Sequence, residues 1–445
     1  MKIIIAGAGE VGTHLAKLLS KEGQDVILID MDENKLHVVD SNYNLMTQTG
    51  SPTAFKTLKT VNVKDTDLYI AVTPFETRNI VSCSMAKGLG ARKTVARIDN
   101  YEFLKPDYIP FFKGIGVDEL IYPEYFASTE MVSAIRNTWA RNWFELYDGE
   151  LILIGVKLRS NAQIINIQLK ELALKSHNFH ISAIRRKHET IIPRGDDHLE
   201  TGDIAYFTTK KEFVSQIIEL CGKKVTNVKR VMILGGSRIG VQLAHMLGDS
   251  YKIKIIELDS KKSFKLAERV PENTTIINGD GRDIELLQEE GIADYDAFIA
   301  LTDSSETNIL ACLTAKEFGV SKTIAEVENI QFIPEAENLN IGTIINKKLL
   351  ATSKIFQILL DFDSSNAKCL ALTDAEVAEL VVKPGSKVTK APVKDLKLAK
   401  GMTIAGLIRD GKGMLVSGNT QIEAGDHVLI FCLSGAIHKV EKFFN

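Results

Sequence analysis

Two stretches of this sequence, half a chain apart, are built on one plan. Lys2-Ile3-Ile4-Ile5-Ala6-Gly7-Ala8-Gly9-Glu10-Val11-Gly12 is an apolar run that breaks into glycines. Arg230-Val231-Met232-Ile233-Leu234-Gly235-Gly236-Ser237-Arg238-Ile239-Gly240 repeats it. A self-similarity of that length constrains the architecture more than any single motif does. An apolar run of strand length that ends in a glycine turn and opens a helix reads as a parallel strand buried on both faces. Two such turns, each heading half a chain, imply a duplicated nucleotide-binding module.

Further landmarks keep the same offset. Asp30 matches Glu257, Gly50 matches Gly279, and Leu68–Thr73 matches Ala297–Thr302. Glu76-Thr77-Arg78-Asn79 matches Ser305-Glu306-Thr307-Asn308, and Cys83 matches Cys312. Val11, Leu15, Leu18 and Leu19 fall on one helical stripe after the first turn. Strands are expected at Ile3–Ala6, Val26–Ile29, Leu68–Thr73 and Thr94–Ile98. Strands alternating with helices give right-handed crossovers and a doubly wound sheet.

After each such half the pattern changes. Trp143–Leu158 and Ile181–Ile192 read as strands, Gly202-Asp203 as a turn into a strand, and Lys211–Leu220 as a closing helix. Gly425-Asp426 before Val428–Phe431 and a helix from Ala436 to Phe443 repeat this at the other end. In these turns Gly supplies an unusual φ and Asp bonds backbone N–H groups. The fold class is therefore α/β, with two tandem Rossmann-like doubly wound parallel sheets, each followed by a small α+β domain. The expected limits are 1–140, 141–224, 228–362 and 366–445, with joints at Lys223–Lys229 and Ser364-Ser365-Asn366.

Composition excludes several classes. A net charge of −3 argues against a general nucleic-acid binder. Five cysteines without a Cys-x-x-Cys pair argue against disulfides or zinc and fit a reducing cytosol. Cys83 and Cys312 read as small buried residues on equivalent helices. No signal peptide is expected, and no apolar run approaches the ~20 residues that span a bilayer. Any work at a membrane must go through a partner, without direct insertion.

In the first glycine motif Gly7 allows the tight turn, Gly9 lets the backbone approach a pyrophosphate, and Gly12 lets helix and strand pack closely. The helix start offers N–H groups and partial positive charge to the phosphates. Asp30 stands where a carboxylate accepts the hydroxyls of a ribose, which favours NAD(H) or an adenine nucleotide over NADP(H). Thr73 and Arg97 fall on the carboxyl edge of the sheet. Arg97 reads equally as a phosphate or base contact and as an ion-pair partner. Asn79 either braces the ligand loop or starts a helix. In the second copy Ser237 replaces the middle glycine and Glu326 replaces Arg97, while Glu257 keeps the ribose carboxylate. Gly279-Asp280 falls where an adenine would lie. The second site either binds differently or is purely structural.

The Gly7–Gly12 motif with Asp30, the Ala71-Val72-Thr73…Asn79 segment and Ala96-Arg97-Ile98 resemble the nucleotide-binding part of an RCK (regulator of potassium conductance) domain. The Gly202-Asp203 and Gly425-Asp426 strands resemble its C-terminal subdomain, so the chain looks like two complete RCK units. The resemblance implies a cytoplasmic subunit, peripheral on the inner face of the cell membrane. It also implies a homo-oligomer, a tetramer, docked on an integral membrane potassium channel of the TrkH type. NAD(H), and also ATP or ADP, would bias its conformation. Carried over by position, Gly7, Gly9, Glu10, Val11, Gly12, Asp30, Thr73, Pro74 and Arg97 would line the first site. Gly235, Ser237, Arg238, Ile239, Gly240, Glu257, Thr302, Asp303 and Glu326 would line the second. Gly50-Ser51 stands where many such domains have Gly-Asp, so the adenine would be held differently there.

The competing reading is an NAD-dependent oxidoreductase, which needs a general acid or base beside the nicotinamide. The histidines do not supply one. His177 and His180 are expected in a loop and His188 and His198 flank a hairpin-like segment, all reading as solvated surface groups. No catalytic or metal-binding set emerges, and the chain reads as a ligand sensor rather than an enzyme.

Overall fold

The structure is a computed structural model that describes residues 1–21, 23–40, 45–187, 189–362, 368–372, 375–396, 398 and 401–433. It divides into two compact units. One holds Met1–Ser128 and Asn346–Leu359; the other holds Thr129–Ile345 and the described residues from Leu360 onward.

The first unit carries a parallel sheet of β1 (Lys2–Ala6), β2 (Asp25–Asp30), β3 (Met46–Thr49), β4 (Leu68–Ala71), β5 (Lys93–Arg97) and β6 (Glu119–Ile121). Its order is β3-β2-β1-β4-β5-β6. The order reverses between β1 and β4, which opens a crevice at their carboxyl ends. Ile3, Ile4 and Ile5 are wholly buried, as a strand covered on both faces requires. The helix Glu10–Lys21 starts directly from the glycine turn, with Leu15, Ala16 and Leu19 inward. Cys83, on the helix Glu76–Gly88, is buried with its sulfur on the Val95 carbonyl at 3.3 Å.

The second unit begins with an antiparallel sheet of β7 (Asn142–Leu146), β8 (Leu151–Lys157), β9 (Phe179–Arg186), β10 (Glu189–Ile191) and β11 (Ile204–Thr209), ordered β10-β9-β11-β8-β7. The parallel sheet then recurs as β12 (Arg230–Leu234), β13 (Lys252–Glu257), β14 (Thr274–Asn278), β15 (Ala297–Ala300), β16 (Lys322–Glu326) and β17 (Thr343–Ile345). Its order, β14-β13-β12-β15-β16-β17, is that of the first. Cys312 repeats Cys83, with its sulfur 3.4 Å from the Ile324 carbonyl. Last come β18 (Lys368–Leu372), β19 (Ala375–Val381), β20 (Met402–Arg409), β21 (Lys412–Leu415) and β22 (His427–Leu433), ordered β18-β19-β22-β20-β21, the topology of the first small sheet again.

The two small sheets share a core in which Leu153, Ala183 and Tyr206 meet Val377, Leu429 and Phe431. Each is closed by the same buried ion pair. Asp203 takes Arg186 Nε and Nη2 at 3.0 and 2.9 Å and the Glu200 N–H at 2.8 Å. Asp426 takes Arg409 Nε and Nη2 and the Glu423 N–H, all at 2.8 Å. The turn role expected of both aspartates is therefore met. The arginines, far off in sequence, carry no local signal.

His180 departs from its reading as a solvated loop residue. It lies in β9, partly buried, with Nε2 3.2 Å from Thr403 Oγ1 of β20. Burial pushes its pKa down to about 4. His198 is exposed, 3.5 Å from Glu200. His188, the Ser364-Ser365-Asn366 joint and the Ala436–Phe443 helix lie outside the described residues. Among those described, no helix is long and apolar enough to cross a membrane and no His/Cys/Asp/Glu group could hold a metal ion.

Two outcomes follow. Asp203→Ala leaves the Arg186 guanidinium without its bidentate partner and should cost about 2–3 kcal/mol in urea unfolding. His180 is neutral when folded, so between its folded pKa of about 4 and the ordinary value of 6.5 the unfolded chain binds more protons. Stability is full above that window and falls as pH drops through it. About 1–2 kcal/mol should be lost between pH 7 and pH 5, and His180→Gln should flatten that slope.

Candidate nucleotide sites at the strand ends

In the first unit the glycines answer three different demands. Gly7 has φ +114°, and a Cβ there would stand 3.0 Å from the Thr73 nitrogen. A Cβ on Gly12 would stand 1.9 Å from the Gly7 carbonyl oxygen, so the helix lies directly against the turn. A Cβ on Gly9 would meet nothing within 4 Å. The protein itself does not need a glycine at Gly9. The open space lies over the start of the helix Glu10–Lys21, where a phosphate would be held.

Asp30 fastens this loop. Its Oδ2 accepts from the Ala8 N–H at 2.6 Å and its Oδ1 from the Asp32 N–H at 2.9 Å. The opposite wall is pinned by Asn79, only 1% exposed. Its Oδ1 accepts from the Thr73 N–H at 2.9 Å and from Thr73 Oγ1 at 2.6 Å. Its Nδ2 donates to the Thr73 and Arg97 carbonyls, both at 2.9 Å, which ties the ends of β4 and β5 together. Of the two roles open to Asn79, bracing is the one its contacts describe. Arg97 is 3.3 Å from Asp99, yet its buried Nε has no hydrogen-bond partner among the described residues. Glu76 holds the backbone N–H groups of Asp99 and Asn100 at 2.9 and 3.0 Å.

Other first-site residues sit differently. Val11 is buried, Pro74 is exposed, and Glu10 is exposed and paired with Lys348 of the helix Lys347–Phe362 in the same unit. Sequence reasoning passes over Phe75 and Arg78. Phe75 is 57% exposed, with the Arg78 guanidinium 4.8 Å from its ring centre. An exposed aromatic one position after the Thr73-Pro74 corner is the signal that was available.

The second site is a cavity of about 310 Å³. Gly235, Ser237, Glu257, Thr302 and Asp303 line it, together with Gly279 and Asp280. Glu257 repeats the Asp30 tie: Oε2 accepts from the Gly236 N–H at 2.9 Å and Oε1 from the Asp259 N–H at 3.0 Å. Lys262 adds an ion pair at 2.7 Å. Burial pushes the Glu257 carboxyl up, but Lys262 and the two backbone N–H groups outweigh it and hold the pKa below its ordinary value. Ser237 caps its helix, its Oγ accepting from the Gly240 N–H at 3.3 Å. That engages one donor a phosphate would use. Asn308 repeats Asn79, bonding Thr302 on three atoms and the Glu326 carbonyl at 2.8 Å.

Arg238, Ile239, Gly240 and Glu326 do not line this cavity: Arg238 is exposed, while Ile239 and Glu326 are buried. Lys262 and Arg282 do, and neither was singled out in the sequence. Arg282 grips Asp280 with Nε at 2.9 Å and Nη2 at 2.7 Å.

The chain matches the TrkA-N domain family over residues 3–123 and 231–347 and the TrkA-C domain family over 153–222 and 377–445. It is 30% identical over 457 aligned positions to Trk system potassium uptake protein TrkA homolog 2 of Methanosarcina mazei, covering 100% of both chains. It is 30% identical over 454 positions to Trk system potassium uptake protein TrkA of Haemophilus influenzae, covering 100% of this chain and 98% of that one. In fold it is similar to the GsuK RCK domain, with a TM-score of 0.63 at 14% identity, covering 100% and 94% of the two chains. The GsuK channel bound to NAD gives a TM-score of 0.63 at 14% identity over 100% of this chain and 78% of that one.

The two helix-start glycines should respond unequally to a methyl group. At Gly240 an added Cβ meets the Gly235 carbonyl at 3.2 Å, against 1.9 Å for the Gly12 pair. Gly12→Ala should therefore destabilise its unit by about 3 kcal/mol, an overpacking cost against backbone. Gly240→Ala should stay within about 1 kcal/mol of the parent, since Ala is the better helix former. Thermal unfolding of the two variants side by side checks this.

Proposed function

The chain belongs to the TrkA family, and from that membership we infer that it is a nucleotide-sensing regulatory subunit of a Trk-type potassium-uptake system. The observation that carries the reading is the repeated plan: two sheets of one strand order, each with a carboxylate-tied glycine loop, each followed by a small α+β domain.

The first site fits an NAD(H) molecule. The open face of Gly9 and the helix start would receive the pyrophosphate, Asp30 the adenosine ribose, and Arg97 Nε, which has no partner among the described residues, a further polar group of the ligand. Gly7, Glu10, Val11, Gly12, Thr73 and Pro74 complete that set by position. The second site takes a nucleotide in another way, beside Glu257, Thr302 and Asp303, with Ser237 already on the helix start; ATP or ADP is the ligand class we assign to it. Ligand binding biases the chain between two conformations by its differential affinity for them. The partner is an integral membrane potassium channel subunit of the TrkH type, met at the inner face of the membrane by a homotetramer of this chain. The domain limits we assign are 1–140, 141–224, 228–362 and 366–445. The role is regulatory and not enzymatic.

Asp30→Ala removes a charged ribose contact of roughly 1.5–3 kcal/mol, so NADH affinity by calorimetry should fall about 10- to 100-fold. Unchanged affinity would take Asp30 out of the site. Incubation of the intact chain with NADH and a panel of small carbonyl substrates should leave the nicotinamide absorbance flat. Steady turnover would favour an oxidoreductase instead.

A further inference from the structure

Seven cations of the second unit gather apart from its glycine-loop cavity. A cavity of about 510 Å³ opens where the first small domain meets the second parallel sheet. Arg141, Lys157 and Arg159 reach it from around β7 and β8, and Lys223 and Lys224 from the loop after the helix Val214–Leu220. Lys316 and Lys322 reach it from the far side, on the helix Ser305–Glu317 and at the start of β16. No aspartate or glutamate is among its lining residues.

These cations are not neutralised by ion pairs among the described residues. Lys322 is 6% exposed, and its Nζ has only the Ala140 carbonyl at 3.5 Å. Lys316 Nζ donates to the Asn340 carbonyl at 2.5 Å and Arg141 Nη2 donates to Asn340 Oδ1 at 3.4 Å, both neutral partners. The nearby carboxylate of Glu337 is committed to Arg185 at 2.9 Å. Burial and then the neighbouring guanidinium of Arg141 push Lys322 down to about 8. Burial followed by like charges also lowers Lys157, Lys223 and Lys316.

Burying charge is unfavourable unless it is paired, and seven cations around one cavity repel one another. The chain as a whole carries a net charge of −3, so this is a local arrangement and not a basic protein. The cavity volume falls within the range of small-molecule sites, and guanidinium and ammonium groups together are phosphate chemistry. We propose that this cavity binds a soluble small molecule carrying two or more phosphate groups. Such a ligand bridges the first small domain and the second nucleotide domain, and so sets how firmly the one is held to the other. The cavity shares no residue with the glycine-loop sites, and the proposal stands or falls apart from the assignment of NAD(H) to the first of them.

Inorganic triphosphate, titrated into the full chain by calorimetry, is the probe. It should bind, with an affinity that falls steeply as salt rises, and it should raise the melting temperature. Lys157→Gln with Arg159→Gln should weaken this binding at least tenfold and leave NADH affinity as in the parent. Lys223→Gln with Lys224→Gln, on the loop after the helix Val214–Leu220, should weaken it about fivefold. Both pairs should also raise the melting temperature of the ligand-free chain by relieving repulsion. Lys262→Gln, at the glycine-loop cavity, should leave the cavity's triphosphate affinity unchanged. An absence of triphosphate binding to the parent, or equal binding to parent and both double variants, would overturn the proposal. ATP in place of triphosphate, tested on the same variants, separates a nucleotide ligand from a bare polyphosphate.

Discussion

A carboxylate at the end of each second strand holds the glycine loop in place. Asp30 and Glu257 each accept from the residue after the first glycine and again from two residues further along their own chain. A glycine loop by itself is free to wander, because glycine loses more conformational freedom on folding than any other residue. The tie removes that freedom from one side, and the close approach of Gly12 or Gly240 to the first glycine removes it from the other. The position of the helix start, and of any phosphate it would hold, depends on this pair of constraints.

The copies diverge only after the tie is made. In the first, Gly9 leaves open space and Arg97 keeps a buried nitrogen with no hydrogen-bond partner among the described residues. In the second, Ser237 has turned back onto the helix start, Lys262 shares the Glu257 carboxylate, and Arg282 fixes Asp280 at the rim. The asparagine brace is meanwhile the same in both, atom for atom. Scaffold contacts are thus repeated and ligand-facing contacts are varied. Two strand ends with unlike electrostatics would not hold one ligand equally.

Much of this was legible in the sequence, because the signals were local. The apolar runs of β1, β4, β12 and β15, the glycine turns, Asp30 and Glu257 all declare themselves within a few positions. Gly202-Asp203 and Gly425-Asp426 marked their turns correctly. What could not be read were partners distant along the chain. Arg186 and Arg409 lie 17 positions before the aspartates they serve. Lys262 and Arg282 look like ordinary helix and loop cations until the fold turns them toward Glu257 and Asp280. The weakly patterned strands β3, β6 and β17 were missed for a related reason: at three or four residues each they are held by their neighbours more than by their own residues. His180 was misread because an isolated polar residue takes its environment from the opposite sheet, which no periodicity records.

The same reasoning explains why the basic cavity escapes a motif search. Its cations come from five separate stretches, and each alone is an unremarkable surface charge. Only the packing of β8 and the loop after Cys221 against β16 brings them together, and that packing buries Lys322 with no acid among the described residues to meet it. Three acids of this unit each meet a cation: Asp203 meets Arg186, Asp426 meets Arg409 and Glu257 meets Lys262. The basic cavity differs in having cations on several walls and, among the described residues, no acid in its lining, which is the arrangement the proposed polyphosphate would answer. The junction between a small domain and a nucleotide domain is also where such an anion would act on both at once.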